Sequence, residues 1–403
     1  MPTPLSTQLR LCTPITSSPS KCSNKPIHRQ RQVIESEHGR DRSKETWQYR
    51  DGNILIKSAA WCLLSVAAWC CPRLSARAAT LPQVEAAATL EWGPQDENWQ
   101  LELDTLRHDA MAAGVSPQTA DGALENIHLI PQVLEKTRTQ PERLLSAEDY
   151  LKRQVTPLRV RSGAEHYIKN RELLRVLQQT YGVPDDVLVA TWGVESNYGR
   201  YIGDWDTLSA LATLAYGLED AARAAYFKRE LVNAIKVLEA ASSTALRGSW
   251  AGAMGQCQFM PSAVLQYAVD FDGDGHADIW SSTPDALASM ANFLKHKGWQ
   301  EQEPITCKVA LKGAIDEAVL GLKAPALPVS EWIEGHNIEL AGDRASNACA
   351  LATTVGANLL APDGLQGPCY LVFPNFKVLM KYNPSALYAL SVTQLAEGVR
   401  SAT

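Results

Sequence analysis

The chain contains the stretch Val187-Leu188-Val189-Ala190-Thr191-Trp192-Gly193-Val194-Glu195-Ser196, followed at once by Asn197-Tyr198-Gly199. This apolar run is long enough for a buried helix that starts near an N-cap at Asp185 or Asp186 and ends in the Asn-Tyr-Gly turn. Glu195 then lies in the last helical turn, where apolar neighbours and the negative end of the helix dipole both raise the pKa of a carboxyl group. A general acid needs such a pKa near neutral pH. The alternative is a glutamate that pairs with an arginine or caps nearby backbone, and this segment alone leaves it open.

The composition is that of a globular protein, with 45% hydrophobic and 20% charged residues in a chain of 403 residues. That length allows two or three domains and a sizeable core. The formal net charge of −6 leaves no general basic surface, so we do not expect nucleic acid as a partner.

The beginning of the chain has the pattern of an export signal behind an extension. Residues 1–52 lack apolar periodicity and carry many charged and small polar residues, which predicts disorder or an over-called upstream extension. Residues 53–78 combine Lys57, an apolar run and the exit Ala76-Arg77-Ala78, the layout of a cleaved signal peptide. A lipoprotein is the alternative, but Trp69 before Cys70 does not suit lipid attachment. We therefore expect an exported, periplasmic protein without a lipid anchor.

The pattern of apolar residues, prolines and glycines divides the remaining sequence into four segments. Apolar residues at three- and four-residue spacing predict a helical N-terminal domain over 79–181, including one helix from Val160 to Tyr181, and a helical core over 182–300. Shorter segments punctuated by Pro and Gly predict a small mixed α/β subdomain over 301–374. The helical pattern returns over 375–403, a segment expected to pack back on the core. The predicted fold class is therefore mainly α (α+β).

Four cysteines follow the predicted signal peptide, namely Cys257, Cys307, Cys349 and Cys369. Their wide spacing without CxxC pairs argues against a zinc site. In an oxidising compartment we expect one disulfide among the last three, and a Cys349–Cys369 pair is favoured.

A glycine-rich segment runs from Arg247 to Ser262. Its glycines allow close backbone approach, and they lie among polar residues, aromatic rings and a methionine. This mixture is typical of a sugar-binding cleft, in which Phe259 and Met260 offer apolar faces and Gln258 offers an amide. A glycine-rich loop that merely packs tightly is the alternative.

An acidic segment, residues 270–278, matches the first nine positions of an EF-hand calcium loop. The twelfth position is Ser281, which has no carboxylate, and Asp285 takes that role if the loop bulges. A structural Ca²⁺ is favoured over an unliganded acidic turn, since clustered aspartates otherwise repel one another. The expected ligands are the side chains of Asp270, Asp272, Asp274 and Asp285 and the backbone carbonyl of His276.

Several segments over about residues 100–400 occur together and in the order found in one enzyme family. They are Trp192-Gly193-Val194-Glu195-Ser196 with Tyr198-Gly199, Ala210-Leu211-Ala212-Thr213-Leu214, Gly248-Ser249 with Ala251-Gly252-Ala253-Met254-Gly255 and Gln258-Phe259-Met260-Pro261-Ser262, the acidic loop, and Tyr382-Asn383-Pro384-Ser385 with Tyr388-Ala389. The chain resembles the lytic murein transglycosylases of the membrane-bound type B family, family 103 of the glycoside hydrolases. The resemblance implies a goose-type lysozyme-like helical core, a helical N-terminal domain and a small β-containing subdomain.

The resemblance also implies an activity, the cleavage of the MurNAc-GlcNAc β-1,4 bond of peptidoglycan without water to give 1,6-anhydromuramyl ends. Glu195 resembles the single catalytic acid/base of that family. Ser249 resembles the hydroxyl beside the muramyl N-acetyl group, and Gln258 the amide that lines the same subsites. Tyr226 and the pair Tyr382-Asn383 are similar to substrate-contacting positions.

One pair departs from the family pattern, because Gln256-Cys257 stands where a Tyr-Gly pair is expected. The implied partners are peptidoglycan glycan strands and other cell-wall enzymes, and we expect a monomer with no organic cofactor.

Two rival functions remain from the sequence alone. A hydrolytic muramidase needs a second carboxylate at about 5–9.5 Å from the acid. Asp204 and Asp206 are the nearest in sequence, but Asp206 suits a helix cap and Asp204 lies in a turn. The other rival is a non-catalytic cell-wall-binding protein with a disused cleft.

Overall fold

The computed structural model describes residues 97–138, 145–241, 245–341, 349 and 354–403. The predicted extension, 1–52, and the predicted signal peptide, 53–78, lie outside these residues. The described part is mainly helical with a small antiparallel sheet, which confirms the predicted fold class. None of its helices is long and apolar enough to cross a membrane.

The helices account for most of the described chain. In order they are α1 Glu97–Ala112, α2 Pro117–Leu124, α3 Pro131–Lys136, α4 Ala147–Gln154, α5 Pro157–Lys169, α6 Arg171–Tyr181, α7 Asp185–Ser196, α8 Thr207–Gly217, α9 Ala221–Ala241, α10 Pro261–Tyr267, α11 Thr283–His296, α12 Val329–Gly335, α13 Pro374–Tyr382 and α14 Ala386–Ala402.

Two helical stretches of the sequence are interrupted in the structure. The helix predicted from Val160 to Tyr181 is two helices, because Asn170 between α5 and α6 has φ −105° and ψ 16°, outside the helical region. The segment 375–403 is divided between α13 and α14 at Asn383-Pro384, where the proline lacks the N–H that a continuous helix would need. A side-chain cap begins α14, where the Ser385 hydroxyl accepts a hydrogen bond from the Tyr388 N–H at 3.3 Å.

Helix α7 is the buried centre of the helical core. All of its residues from Asp186 to Ser196 are buried, and α5, α6, α11 and α14 pack against it. A helix that is apolar on every side must be enclosed in this way. The predicted N-cap at Asp185 or Asp186 is wrong, because Pro184 occupies the cap position and Asp185 begins the helix. The Asp185 carboxylate instead accepts a hydrogen bond from the Tyr167 hydroxyl at 2.7 Å.

The sheet forms a second, smaller apolar cluster. Its strands are antiparallel and lie in the order β4-β6-β7-β3-β5. Trp332 of α12 is fully buried beneath it, and its indole N–H donates to the Ala357 carbonyl at 3.0 Å. The strand bounds are β3 Thr306–Leu311, β4 Leu327–Pro328, β5 Ile338–Leu340, β6 Gly356–Leu360 and β7 Cys369–Val372, while β1 Trp205–Asp206 and β2 Arg247–Gly248 form a separate pair in the helical core.

The disulfide of the sheet subdomain differs from the favoured pairing. Cys349 is bonded to Cys307 of β3, with a Cα–Cα distance of 6.4 Å, so the expected Cys349–Cys369 pair is wrong. Cys369 is a buried free thiol on β7, where it lies opposite Val309. Cys307 lies on β3 and Cys369 on the neighbouring antiparallel strand β7. The spacing of cysteines along the chain does not distinguish which of the two is bonded to Cys349.

Close packing of α5 against the core depends on Gly163. A Cβ atom at this position would lie 2.5 Å from the Tyr198 hydroxyl and 2.5 Å from Cγ2 of Val399. We expect Gly163→Ala to lower the free energy of unfolding by about 1–3 kcal/mol, because α5 must move away from both groups. Urea denaturation measures this change.

The matched control is Gly122→Ala in α2, where an added Cβ would meet nothing within 4 Å. It should raise stability by up to about 1 kcal/mol through its better helix propensity. Equal effects of the two substitutions would contradict the packing argument.

Candidate active site

Glu195 is buried in the last turn of α7, with 2% of its surface exposed. The Tyr388 hydroxyl of α14 donates a hydrogen bond to its Oε1 at 2.5 Å. Burial raises the pKa of Glu195 to about 8, and the Tyr388 hydrogen bond acts in the opposite direction. No other hydrogen bond to Glu195 occurs among the described residues, so Oε2 has no hydrogen-bond partner there.

The other buried carboxylates of the described chain have structural partners. Asp186 pairs with the Arg400 guanidinium at 2.6 Å. Glu230 accepts hydrogen bonds from the Ser262 N–H at 2.9 Å and the Ser262 hydroxyl at 2.7 Å. Asp285 accepts backbone N–H groups of the acidic loop. Glu195 differs from them because a single tyrosine hydroxyl is its partner.

The turn that follows Glu195 has an unusual backbone. Asn197 and Tyr198 have φ values of 50° and 62°, a left-handed conformation that costs energy for residues other than glycine. Tyr198 is held by stacking on His166, with ring centroids 5.0 Å apart, and by donating a hydrogen bond to the Arg159 carbonyl at 2.7 Å. Packing therefore maintains the strained turn next to the catalytic candidate.

The glycine-rich segment is attached to this turn by strand pairing and by Gln258. Strands β1 and β2 align Trp205 with Gly248. The Gln258 side-chain amide donates to the Ile202 carbonyl at 3.0 Å and to the Gly255 carbonyl at 2.9 Å. Gln258 has φ 48°, a third left-handed position near the site. The segment and the end of α7 thus form one wall.

Five of the predicted substrate residues meet in one cavity of about 190 Å³. Phe259 and Met260 are 2% and 3% exposed, so they form the base of the wall more than an open platform. The cavity also contains Lys297 and Lys381, two cations that the sequence analysis did not select. The predicted residues in its lining are Tyr226, Gln258, Phe259, Met260 and Tyr382.

The two other predicted substrate residues lie outside that lining. Ser249 is half-buried, and its hydroxyl accepts hydrogen bonds from the Ala251 N–H at 3.3 Å and the Ala253 N–H at 3.0 Å. Asn383 is buried between α13 and α14, with 6% of its surface exposed. Their substrate roles stay predictions.

The acidic loop brings three of the predicted metal ligands together. Carboxylate oxygens of Asp270, Asp272 and Asp285 all lie within 4.8 Å of one another. Asp270 closes the loop by accepting the Gly273 N–H at 2.8 Å and the Gly275 N–H at 2.9 Å. Hard oxygen donors in a turn of this kind suit Ca²⁺.

Asp274 and His276 stand apart from that triad of carboxylates. Asp274 is outside the cluster, and its carboxylate accepts the His276 N–H at 2.8 Å. The carbonyl of His276, expected to face a cation, accepts the Asp278 N–H at 3.0 Å. The residues present therefore fit a cation, and three of the five predicted ligands, Asp270, Asp272 and Asp285, already lie close together.

Tyr388 is the residue that the sequence analysis missed as part of the site. It belongs to the Tyr388-Ala389 pair that contributes to the family resemblance, but nothing in its local sequence predicts a contact with Glu195. Burial and the neighbouring carboxylate raise the pKa of Tyr388 well above its usual value. The hydroxyl accordingly remains a hydrogen-bond donor throughout the neutral range.

The raised pKa of Glu195 has a consequence for stability. Between about pH 4.5, the ordinary value, and about pH 8 the native state binds a proton that the unfolded chain has lost. Stability therefore falls as the pH rises through this window, by a few kcal/mol. Glu195→Gln keeps an acceptor for Tyr388 and carries no charge, so its Tm should exceed that of the wild type increasingly from about pH 5 to about pH 8.

Differential scanning calorimetry across that pH range measures the difference. Glu165→Gln, at an exposed glutamate of α5, is the control and should show no such trend. A constant Tm difference between Glu195→Gln and the wild type would contradict the raised pKa.

Known proteins are similar to this chain in sequence and in structure. Residues 98–397 match the family model described as Transglycosylase SLT domain. The membrane-bound lytic murein transglycosylase B of Escherichia coli (strain K12) is 36% identical over 253 residues. This match covers 62% of the chain and 66% of the relative, slightly under two thirds of the relative's length.

Solved structures agree with the sequence match. SltB3 from Pseudomonas aeruginosa in complex with NAG-anhNAM-pentapeptide is 36% identical and superposes with a TM-score of 0.67, over 76% of this chain and 80% of that chain. Escherichia coli Slt35 in complex with calcium is 30% identical with a TM-score of 0.63, over 76% of this chain and 94% of that chain. The chain belongs to the transglycosylase SLT domain family.

Proposed function

We propose that the protein is an exported peptidoglycan lytic transglycosylase with Glu195 as its single acid/base. It cleaves the MurNAc-GlcNAc β-1,4 bond without water and leaves a 1,6-anhydromuramyl end. The observation that carries this proposal is a buried carboxyl group with a pKa of about 8 and one tyrosine partner. The bound NAG-anhNAM-pentapeptide of SltB3, the product type of such a reaction, supports it.

In the first step Glu195 acts as an acid. Because its pKa is about 8, the group is protonated at neutral pH. Tyr388 holds Oε1, so the proton is delivered from Oε2 to the bridging oxygen as the bond to the muramyl anomeric carbon breaks. The N-acetyl oxygen of the substrate stabilises that carbon, and the leaving sugar departs with its new hydroxyl.

In the second step the same residue acts as a base. The Glu195 carboxylate takes the proton of the muramyl C6 hydroxyl, whose oxygen attacks the anomeric carbon and closes the 1,6-anhydro ring. Tyr388 stabilises the carboxylate between the two steps through its charge-assisted hydrogen bond. The enzyme ends the cycle protonated, and no water is consumed.

A hydrolytic mechanism needs a second carboxylate, and no other carboxylate among the described residues resembles Glu195 in being buried with a single tyrosine partner. Asp206 is the N-cap of α8 and accepts the Ser209 N–H at 2.8 Å, as the sequence predicts. Asp204 is exposed. Asp186, Glu230 and Asp285 are engaged as described above, so a mechanism that needs one carboxylate fits the described residues better than a mechanism that needs two.

The substrate lies in the cleft formed by the end of α7 and the glycine-rich segment. In this proposal Tyr226, Gln258, Phe259, Met260 and Tyr382 line it, and Ser249 and Asn383 contact the muramyl group. The first five residues share one cavity, which supports grouping them, and Glu195 is not part of its lining.

Digestion of purified sacculi tests the reaction. The wild type should release muropeptides with 1,6-anhydromuramyl ends, lighter by one water than hydrolytic products. Glu195→Gln should lower the rate by at least about 100-fold, because the proton transfer in both steps is lost. Mass spectrometry of the released muropeptides identifies the products.

Asp186→Asn is the matched control, since it replaces another buried carboxylate of the same helix. It should retain anhydro product formation. Reducing muramyl ends from the wild type would favour the hydrolase. Equal release by wild type and Glu195→Gln would exclude Glu195 as the acid/base, and no release by either protein would leave only a binding role.

The acidic loop holds a structural Ca²⁺ in this proposal. Asp270, Asp272 and Asp285 supply carboxylate oxygens, and Asp274 and the His276 carbonyl complete the set. The triad of carboxylates supports this assignment, as does the calcium complex of Slt35. The ion neutralises the mutual repulsion of the aspartates and braces the loop.

Removal of two carboxylates tests the calcium site. Ca²⁺ should raise the Tm of the wild type, since a ligand that binds only the native state stabilises it. The double variant Asp270→Asn, Asp272→Asn should lose that response. Asp220→Asn is the control, because Asp220 also accepts backbone N–H groups, those of Ala222 and Arg223 at the start of α9, but lies outside the acidic segment. An unchanged response in the double variant would contradict the site.

Export to the periplasm and the absence of a lipid anchor belong to the same proposal. The signal pattern over 53–78 supports them. Glycan strands are the substrate, other cell-wall enzymes are further partners, and the protein acts as a monomer.

A further inference from the structure

Gln256 lies between the catalytic helix and the acidic loop and is hydrogen-bonded to both. Its side-chain oxygen accepts the Trp192 indole N–H of α7 at 3.0 Å. Its side-chain amide donates to the Trp280 carbonyl at 3.2 Å, and its backbone N–H donates to the Ile279 carbonyl at 2.8 Å. Gln256 is 4% exposed, so these bonds are sheltered from water.

The amide of Gln256 also packs against the turn that follows Glu195. A Cβ atom at Gly199 would lie 2.5 Å from the Gln256 side-chain oxygen, so the turn accommodates Gln256 only because this residue is glycine. Trp192 precedes Glu195 by three residues, and Gly199 follows it by four. Gln256 therefore contacts the chain on both sides of the catalytic carboxylate.

A continuous series of hydrogen bonds leads from the metal ligands to Gln256. The Asp285 carboxylate accepts the Asp278 N–H at 2.8 Å, and the Asp278 carboxylate accepts the Trp280 N–H at 2.8 Å. The Trp280 carbonyl then accepts the Gln256 amide. The position of the Trp280 carbonyl is thus tied to Asp285, one of the three carboxylates that would surround a cation.

Cys257, the next residue, also connects the region of the acidic loop to the cleft. Its thiol donates to the Ala286 carbonyl of α11 at 3.2 Å, next to Asp285. Its carbonyl accepts the Tyr382 hydroxyl, a cleft residue, at 2.6 Å. The Gln256-Cys257 pair, which departs from the family pattern, therefore joins the acidic loop to both α7 and the cleft.

We propose that Gln256 is a positioning residue that transmits cation binding at the acidic loop to the end of α7, and so to Glu195. The inference rests on the proposed function, in its cation site and in the role of Glu195. The Asp270, Asp272 and Asp285 carboxylates would hold the cation, and the series of hydrogen bonds ties the position of their loop to Trp192. The two side-chain hydrogen bonds of Gln256 can be removed by substitution while its backbone hydrogen bond to the Ile279 carbonyl remains. Their contribution is therefore testable as a coupling between the two sites.

The Trp192 indole signal in the NMR spectrum reports the link directly. The chain has eleven tryptophans, few enough for indole labelling with ¹⁵N, and Trp192→Phe assigns the signal. In the full-length wild type, Ca²⁺ should shift the Trp192 indole resonance. Methionine is similar in size to glutamine but cannot make the side-chain hydrogen bonds to Trp192 and Trp280. In Gln256→Met, Ca²⁺ should therefore still raise the Tm but should not shift the Trp192 indole resonance.

Activity gives a second readout of the same link. Ca²⁺ should raise the rate of anhydromuropeptide release by the wild type about fivefold or more, the usual range for coupled sites. Gln256→Met should respond less than about twofold. Gln256→Glu keeps the acceptor for Trp192 but loses the donor to Trp280, so it should also be insensitive to Ca²⁺.

Thr191→Val is the matched control. It removes a buried hydrogen bond of α7, from the Thr191 hydroxyl to the Val187 carbonyl at 2.8 Å, and leaves Gln256 in place. It should therefore keep the Ca²⁺ response in both readouts. A loss of response in Thr191→Val would mean that any weakening of α7 abolishes it, which would overturn the assignment to Gln256.

Two further results would overturn the inference. One is a Gln256→Met protein whose Trp192 resonance moves with Ca²⁺ as in the wild type. The other is a wild-type resonance that does not respond, whether or not Ca²⁺ raises the Tm. A wild type that releases no anhydro product would refute the proposed function, while the NMR response would still decide whether Gln256 links the loop to α7.

Discussion

The carboxyl group of Glu195 is enclosed by apolar side chains and accepts a hydrogen bond from Tyr388, and much of the structure follows from that one arrangement. A buried carboxylate is costly unless it is neutral or well bonded. Helix α7 keeps it neutral by presenting apolar residues on every side. Such a helix must in turn be covered, and α5, α6, α11 and α14 cover it. The carboxyl group that we propose as the acid and the centre of the core therefore belong to the same helix.

The immediate surroundings of Glu195 combine tight packing with local strain. Asn197, Tyr198 and Gln258 all have left-handed backbone conformations, which a compact environment must hold in place. Tyr198 is held by His166, and Gln258 by the Ile202 carbonyl. Strained residues of this kind cluster at functional sites, where the surrounding packing holds them in place.

Local features of the chain were predictable where a short pattern determines them. The Asp206 cap of α8 and the raised pKa of Glu195 follow from capping chemistry and apolar neighbours. The break at Asn170 was not predictable, because apolar spacing continues through it and only the backbone of α5 and α6 shows the change. The favoured cysteine pair was wrong for a related reason, since strand order determines which cysteines meet.

By itself the sequence determined a buried helix ending in a carboxylate, a glycine-rich wall, an acidic loop and the family to which they belong. The helix, the glycine-rich segment and the loop are short-range properties, set by residues close together in the chain, and the family follows from the order of such segments along the sequence. Only the tertiary structure decided that Tyr388 bonds to Glu195 and that Gln256 spans the distance between loop and helix. Each of these contacts joins residues far apart in the chain, and the packing of whole elements brings them together.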